Sequence, residues 1–160
     1  MHTTKNDLSA NVREKTIALL NARLADGINL QMQTKQAHWN VKGPSFIALH
    51  ELFDDVSERV EEYTDLMAER ITALGGTAEG TVQVAAKGSK LPAYPLDISE
   101  GLAHVDALST SLAAFGKLAR AAIDQSNEIG DADTADIFTE ISRGIDKDLW
   151  FVEAHMTAKR

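Results

Sequence analysis

The chain has 160 residues, of which 44% are hydrophobic, 25% are charged and none is cysteine. This length fits one domain, residues 1–160, and the lack of cysteine excludes disulfides, thiolate metal sites and a cysteine nucleophile. A formal net charge of −8 favours cations over nucleic acid as partners, because an acidic surface concentrates cations and repels phosphates. No secretory h-region and no membrane-spanning apolar run is visible, so we expect a protein of the cytoplasm or its nucleoid.

Helical periodicity predicts two long helices in the first half of the chain. The first covers about residues 9–38, with Ser9 as N-cap, and its apolar positions recur at helical spacing: Val12, Ile17, Leu20, Leu24, Ile28 and Met32. A break at 42–45 contains Gly-Pro, which ends one helix and starts the next. The second covers about residues 45–74 and ends at Gly75-Gly76. Its apolar stripe comprises Phe46, Leu49, Leu52, Phe53, Val56, Val60, Tyr63, Met67, Ile71 and Leu74.

The second half begins with a long connection, residues 76–97, rich in glycine and proline. Its apolar piece at 82–86 predicts one or two turns of helix. The third long helix is predicted from about Ile98 to Ile129, with Asp97 or Ser99 as its cap and Gly130 as its end, and the fourth from the DADTAD segment to about Met156. A connection of this length lets helices two and three run parallel, so the pattern indicates an all-α four-helix bundle with one crossover.

The second predicted helix carries a stripe of possible metal ligands. His50 and Asp54 are four residues apart, as are Asp65 and Glu69, so the members of each pair are neighbours on a helix. At about 100° and 1.5 Å per residue, the four positions lie within about 100° of one another, but Asp54 and Asp65 are roughly 16 Å apart along the axis. Metal–ligand bonds are about 2 Å long, so one ion cannot bind both pairs of a straight helix.

These residues leave two functional arrangements open. Each pair could bind its own ion weakly, or two chains could pack antiparallel about a dyad near Arg59 and Val60, so that the pairs of different chains meet in two identical sites. His38 could join from the end of the first helix, and imidazole with carboxylate suits iron(II) or zinc. The non-functional alternative is a solvated His-x-x-x-Asp pair and a buried His38. Paired Glu-x-x-His motifs, which mark the di-iron bundles, are absent from the sequence.

Three stretches, QAHWNVKGPSFIALHELFDD, TDLMAERITALGG and TADIFTEISRGIDKDLWFVEAH, closely resemble the Dps family (DNA-binding proteins from starved cells), the mini-ferritins. The resemblance runs from about Thr4 to His155. It implies a ferritin-like four-helix bundle with a short extra helix in the connection between helices two and three. It also implies a hollow shell of twelve identical subunits.

The resemblance further implies a ferroxidase that oxidises iron(II), preferentially with hydrogen peroxide, and stores ferric mineral, protecting the cell and its DNA. No organic cofactor is implied. The centre would be shared across a dimer interface, with ligands at His38, His50 and Asp54 of one subunit and at Asp65 and Glu69 of the other. Lys35 and Trp39 match residues beside that centre, and Trp150 matches a tryptophan of the last helix.

Further acidic residues have two interpretations each. Asp133 and Asp136 match acidic residues of threefold pores in this family, and Asp131 is close by; the alternative is helix N-terminal capping. Glu58, Glu61 and Glu62 lie between the two ligand pairs, where they would nucleate mineral or form a solvated helix face.

DNA binding is expected to be weak or absent. Residues 1–15 carry three basic side chains against two acidic ones, and the chain ends in Lys159-Arg160. This thin basic arm opposes a net charge of −8 per chain, so any binding should be sensitive to salt. The alternative function is a nucleoid-compacting protein with an incidental metal site.

Overall fold

The computed structural model describes residues 1–156, and this range contains five helices and no strand. The helices are α1 (Ala10–Asn40), α2 (Phe46–Ala73), α3 (Val82–Gly88), α4 (Gly101–Ile129) and α5 (Ala132–Glu153). The predicted all-α bundle with a short extra helix is therefore confirmed. Within the described range, no helix combines the length and apolar character that a membrane span requires. Residues 157–160, a short C-terminal tail after the predicted end of the fourth helix, lie outside the described residues.

The four long helices form one bundle around a shared core. α1 packs on α2 and α4 on α5, and α1–α4 and α2–α5 contacts join the two pairs. The core contains large side chains from all four helices: Leu20, Leu30, Phe53, Met67, Leu108, Leu112, Phe115, Phe138 and Ile141. The start of α4 lies beside the start of α2, because the Lys42 N–H donates to the Ser99 carbonyl over 2.8 Å. α2 and α4 therefore run in the same direction, as the long connection predicts.

Helix ends explain where the sequence interpretation was right and where it was wrong. The Ser9 side chain caps α1 by accepting from the Val12 N–H, and Gly130 ends α4 with a φ of 95°, a conformation that glycine adopts without strain. α1 continues past His38 to Asn40. α4 begins at Gly101 with Glu100 as its cap, so the predicted start at Ile98, with Asp97 or Ser99 as cap, was wrong. The bond to Lys42 keeps this segment extended.

Two expected core positions lie at the surface, and one glycine has a packing role. Met32 is 49% exposed and Phe46 is 42% exposed, so both lie at the edge of the predicted stripes.

The phenol of Tyr63 occupies the space that a side chain at Gly144 would need, because a Cβ there would meet the Tyr63 oxygen at 1.8 Å. This close approach of α2 to α5 requires glycine.

Candidate metal centre

The end of α1 and the first turns of α2 bring two imidazole rings together. The rings of His38 and His50 are stacked, with centroids 3.7 Å apart. Nδ1 of His38 lies 2.7 Å from the carbonyl oxygen of His50. In return, Nδ1 of His50 lies 2.8 Å from the carbonyl oxygen of His38. Two helices that are separated by a Gly-Pro break in the sequence are thus joined by a reciprocal pair of hydrogen bonds.

These hydrogen bonds determine which nitrogen atoms are free to bind a metal. A carbonyl oxygen only accepts hydrogen bonds, so both Nδ1 atoms carry the proton and donate it. In the neutral rings, both Nε2 atoms therefore keep a lone pair. Metal-binding histidines commonly hold their second ring nitrogen in this way, which orients the ring and fixes its tautomer. The arrangement suits imidazoles that act as ligands through Nε2.

The carboxylate of Asp54 lies beside the two imidazoles and is held by Lys35, whose ammonium donates a hydrogen bond to it. The nearer Asp54 oxygen is 3.9 Å from Nδ1 of His38. The Lys35 hydrogen bond holds the pKa of Asp54 below its ordinary value, against a smaller opposing effect of burial, and the nearby imidazoles act in the same direction as the lysine. The Asp54 carboxyl is thus ionised at neutral pH, as a metal ligand would need to be. We call Lys35, His38, His50 and Asp54 the histidine half.

The second predicted ligand pair lies apart from the histidine half and is exposed to solvent. Asp65 and Glu69 are exposed on α2, and their side chains make no hydrogen bond or ion pair with any residue in the range 1–156. We call this pair the carboxylate half. Asp65 lies on a groove of about 560 Å³ between α1 and α2, whose walls also include Leu24, Ile28, Glu61, Glu62, Thr64 and Ala68.

One chain does not complete a centre. Among the described residues of a single chain, no three histidine, aspartate or glutamate side chains are arranged to hold a metal ion. The structure brings together His38, His50 and Asp54, but it does not bring Asp65 or Glu69 to them. This separation agrees with the spacing argument that one ion cannot join both pairs of the same helix. The intersubunit site stays a prediction.

The other predicted residues are found in different settings. Trp39 and Trp150 are 65% and 64% exposed, so Trp39 lies beside the histidine half without covering it. Asp133 and Asp136 are exposed on α5, as the pore interpretation requires. Asp131 is 2% exposed, and its carboxylate accepts from the N–H and hydroxyl groups of Thr134. This capping role replaces the pore-lining one that its position in the sequence indicated.

Arg70 is a residue that the sequence interpretation missed. Its guanidinium donates to Asp131 over 2.7 Å and to the Thr134 hydroxyl over 3.1 Å, and it lies 3.7 Å from the exposed carboxylate of Asp133. Arg70 directly follows Glu69, so it connects the carboxylate half to the first turn of α5. No local signal could have found this contact, because its partners are more than sixty residues away along the chain.

The remaining acidic and basic predictions concern the surface. Glu58, Glu61 and Glu62 are all exposed, which agrees with both the mineral and the solvation interpretations. The N-terminal segment is attached to the bundle, because the His2 N–H donates to the Gly75 carbonyl over 2.8 Å. Lys159 and Arg160 lie outside the described part of the chain. The first residues of the chain thus lie against the end of α2.

The comparisons with known proteins agree with this architecture. A family model for the ferritin-like domain matches residues 17–160. A DNA protection during starvation protein of Agrobacterium fabrum is 49% identical over 158 residues, covering 99% of this chain and 98% of that protein. Dps of Mycobacterium smegmatis superimposes with a TM-score of 0.93 at 30% identity, over 99% of this chain and 90% of that one. Dps of Microbacterium arborescens, in a high-iron form, gives a TM-score of 0.86 at 35% identity, over 92% and 96% of the two chains.

The five helices and the match to the family model place this chain in the ferritin-like class. Within that class, the identity to the starvation protein over nearly both whole chains shows that it belongs to the Dps mini-ferritin family. The predicted resemblance is confirmed. This family membership connects the chain with iron storage and with protection from oxidative damage.

Proposed function

We propose that this chain oxidises iron(II), with hydrogen peroxide as the preferred oxidant, and stores the ferric product in a hollow shell of twelve identical subunits. The observation that carries the proposal is the histidine half. Two imidazoles offer free Nε2 atoms beside an ionised Asp54, yet the set is incomplete in one chain. A second copy packed antiparallel on α2 would add Asp65 and Glu69, and each dimer would then have two complete centres.

The ligand types support iron oxidation as the reaction. Carboxylate oxygens are hard ligands that favour iron(III) over iron(II), while imidazole suits the ferrous ion that must bind first. Hydrogen peroxide that takes two electrons from two ferrous ions is reduced to water without releasing hydroxyl radical. A site that binds two ferrous ions therefore consumes iron(II) and hydrogen peroxide in one reaction. Removing both reactive species together would protect the cell.

Acidic surfaces support the delivery and storage of iron. Asp133 and Asp136 would attract ferrous ions at a threefold pore, because clefts with charge of one sign raise the local concentration of counter-ions. Glu58, Glu61 and Glu62 would bind ferric ions where the mineral begins to grow. DNA binding has little support, since the basic arm is thin and the chain carries a net charge of −8.

The test is a paired measurement of reaction and assembly. The purified protein is loaded with iron(II) without oxygen and receives one peroxide per two irons, while ferric absorbance and radical trapping are followed together and light scattering gives the particle mass. Rapid oxidation without trapped radical, in a particle of about twelve subunits, would support the proposal.

A double variant connects this chemistry to the histidine half. His50→Ala with Asp54→Ala should slow the oxidation about tenfold or more, without changing the particle mass. The matched control is Asp124→Ala, which removes one exposed carboxylate from α4 and should leave the rate unchanged. An unaltered rate in the double variant would remove these residues from the reaction.

A further inference from the structure

A buried tyrosine–histidine pair lies outside the residues used so far. The phenol oxygen of Tyr94, in the connection before α4, is 2.8 Å from Nδ1 of His104. Their rings are stacked at an interplanar angle of 20°, with centroids 6.0 Å apart. His104 is only 1% exposed, and Tyr94 is half-buried. The phenol proton therefore has a defined acceptor that solvent hardly reaches.

The environment sets the protonation of both groups. Burial raises the pKa of Tyr94 and lowers the pKa of His104, so both are neutral at neutral pH. The phenol donates, Nδ1 accepts, and Nε2 of His104 carries the ring proton. Nε2 has no acceptor in hydrogen-bond geometry within residues 1–156, but the backbone carbonyls of Ile98 and Asn40 lie close enough to favour an imidazolium.

The pair packs close to the two backbone segments that carry His38 and His50. Asn40, whose carbonyl faces His104, ends α1 only two residues after His38. On the other side, a Cβ at Gly101 in the first turn of α4 would meet the side chain of Leu49 at 2.8 Å, and Leu49 directly precedes His50. Two short stretches of packed backbone thus join the pair to the two metal-binding imidazoles.

We propose that Tyr94 and His104 form a redox-active pair that supplies the second electron to hydrogen peroxide when a centre holds only one iron(II). This proposal rests on the proposed function. Peroxide needs two electrons and two protons to become two waters. One electron comes from iron(II), which becomes iron(III), and the other comes from Tyr94, whose O–H bond breaks. The phenol proton moves to Nδ1 of His104, which leaves a neutral tyrosyl radical and an imidazolium, and solvent supplies the two protons of the waters.

The other tyrosine of the chain provides a contrast. Tyr63 lies on α2 and is buried too, but within residues 1–156 no hydrogen bond joins its phenol to an imidazole, as one joins Tyr94 to His104. The charged groups near Tyr63 are Asp148, Arg59 and two glutamates. Loss of an electron makes a phenol a strong acid, so oxidation is easiest where a base already accepts its hydrogen bond. Of the two tyrosines, only Tyr94 meets this condition.

The experiment uses the assembled protein with less than one iron(II) per centre, followed by peroxide and rapid freezing for electron paramagnetic resonance. Growth on ring-deuterated tyrosine narrows the spectrum only if the radical is on tyrosine, which separates it from Trp39 and Trp150. In Tyr63→Phe, the only remaining tyrosine is Tyr94, and the signal should persist. In Tyr94→Phe, the tyrosyl signal should be lost. A signal that disappears in Tyr63→Phe would overturn the proposal, as would a spectrum that deuterated tyrosine does not change.

A second arm separates this proposal from the iron chemistry. A photogenerated ruthenium(III) complex oxidises the iron-free Tyr63→Phe protein, and the tyrosyl radical should form more slowly when His104→Gln is added. If iron oxidation fails in the wild type but this slowing is seen, only the proposed function is contradicted. If His104→Gln leaves radical formation unchanged, the pair is refuted whatever iron does. Light scattering and the thermal midpoint verify that each variant is assembled.

Discussion

The histidine half and the carboxylate half lie on the same helix, yet their surroundings are opposite. The first is formed inside one chain by stacked rings, two reciprocal hydrogen bonds and a lysine. The second consists of exposed carboxylates that make no side-chain hydrogen bond or ion pair within the described range. The side chains of the histidine half are held in place within one chain, whereas those of the carboxylate half are not held by any other residue of the described range.

This difference indicates how assembly would control the proposed intersubunit centre. Ligands held by neighbouring groups lose little conformational freedom on binding a metal, whereas free carboxylates must be ordered when the ion binds. Two exposed carboxylates also attract cations without trapping them. If the proposed function holds, a lone subunit should bind iron(II) weakly, and the oxidising centre should form only where a second copy is present.

The largest effect is expected from preventing the two halves from meeting. Ala68 lies on the groove next to the carboxylate half, and Ala68→Arg would place a long charged side chain where the second copy is proposed to pack. Helical content by circular dichroism should stay near wild type, while the particle mass falls and tight binding of cobalt(II), a ferrous surrogate, is lost. Ala68→Ser is the control at the same position. Full cobalt binding by a monomeric Ala68→Arg protein would mean that one chain holds a complete centre.

A somewhat smaller effect is expected from mixing two inactive proteins. One variant lacks the histidine half through His50→Ala and Asp54→Ala, and the other lacks the carboxylate half through Asp65→Ala and Glu69→Ala. Each mixed dimer contains one intact centre of two, and random pairing makes half of the dimers mixed, so about a quarter of the wild-type activity should return.

The control for this experiment is mixing without reassembly. The two variants are combined either after dissociation and refolding together or as intact particles, and ferric absorbance after peroxide is compared. Only the refolded mixture should recover activity. Equal activity in both mixtures, or none in the refolded one, would contradict a centre that takes one half from each subunit.

The two halves also differ in what the sequence could reveal. The spacing of His50, Asp54, Asp65 and Glu69 predicted both ligand pairs and their separation, because helix geometry converts sequence distance directly into position. The Gly-Pro break predicted a turn, but not the reciprocal hydrogen bonds that stack His38 on His50. Tertiary contacts such as Arg70 with Asp131, or Tyr94 with His104, join distant parts of the chain through packing. No local pattern encodes them.

A smaller change, in the histidine half alone, should be produced by Lys35→Met. The lysine ammonium and a metal ion compete for the same Asp54 carboxylate, so removing the ammonium should strengthen metal binding. Exposed ion pairs contribute about 0.2–1 kcal/mol, which corresponds to roughly a 1.4-fold to fivefold increase in affinity. Anaerobic calorimetry with cobalt(II) measures it, with Lys117→Met on α4 as the control. Weaker binding in Lys35→Met would mean that the lysine positions Asp54 rather than competing for it.

The smallest expected effect is a pH dependence of thermal stability that arises from the same ion pair, Lys35 with Asp54. Lys35 lowers the pKa of Asp54 from its ordinary value of 3.8, so the folded state favours the ionised carboxyl. Its stabilisation is fully present above the unfolded pKa and is lost as pH falls through the lower folded pKa. The thermal midpoints of wild type and Lys35→Met should differ by a constant amount at neutral pH and converge below 3.8. The carboxyl is 37% exposed, so added salt should shrink the difference. A gap that widens on acidification would show that another group, and not Asp54, responds to the loss of Lys35.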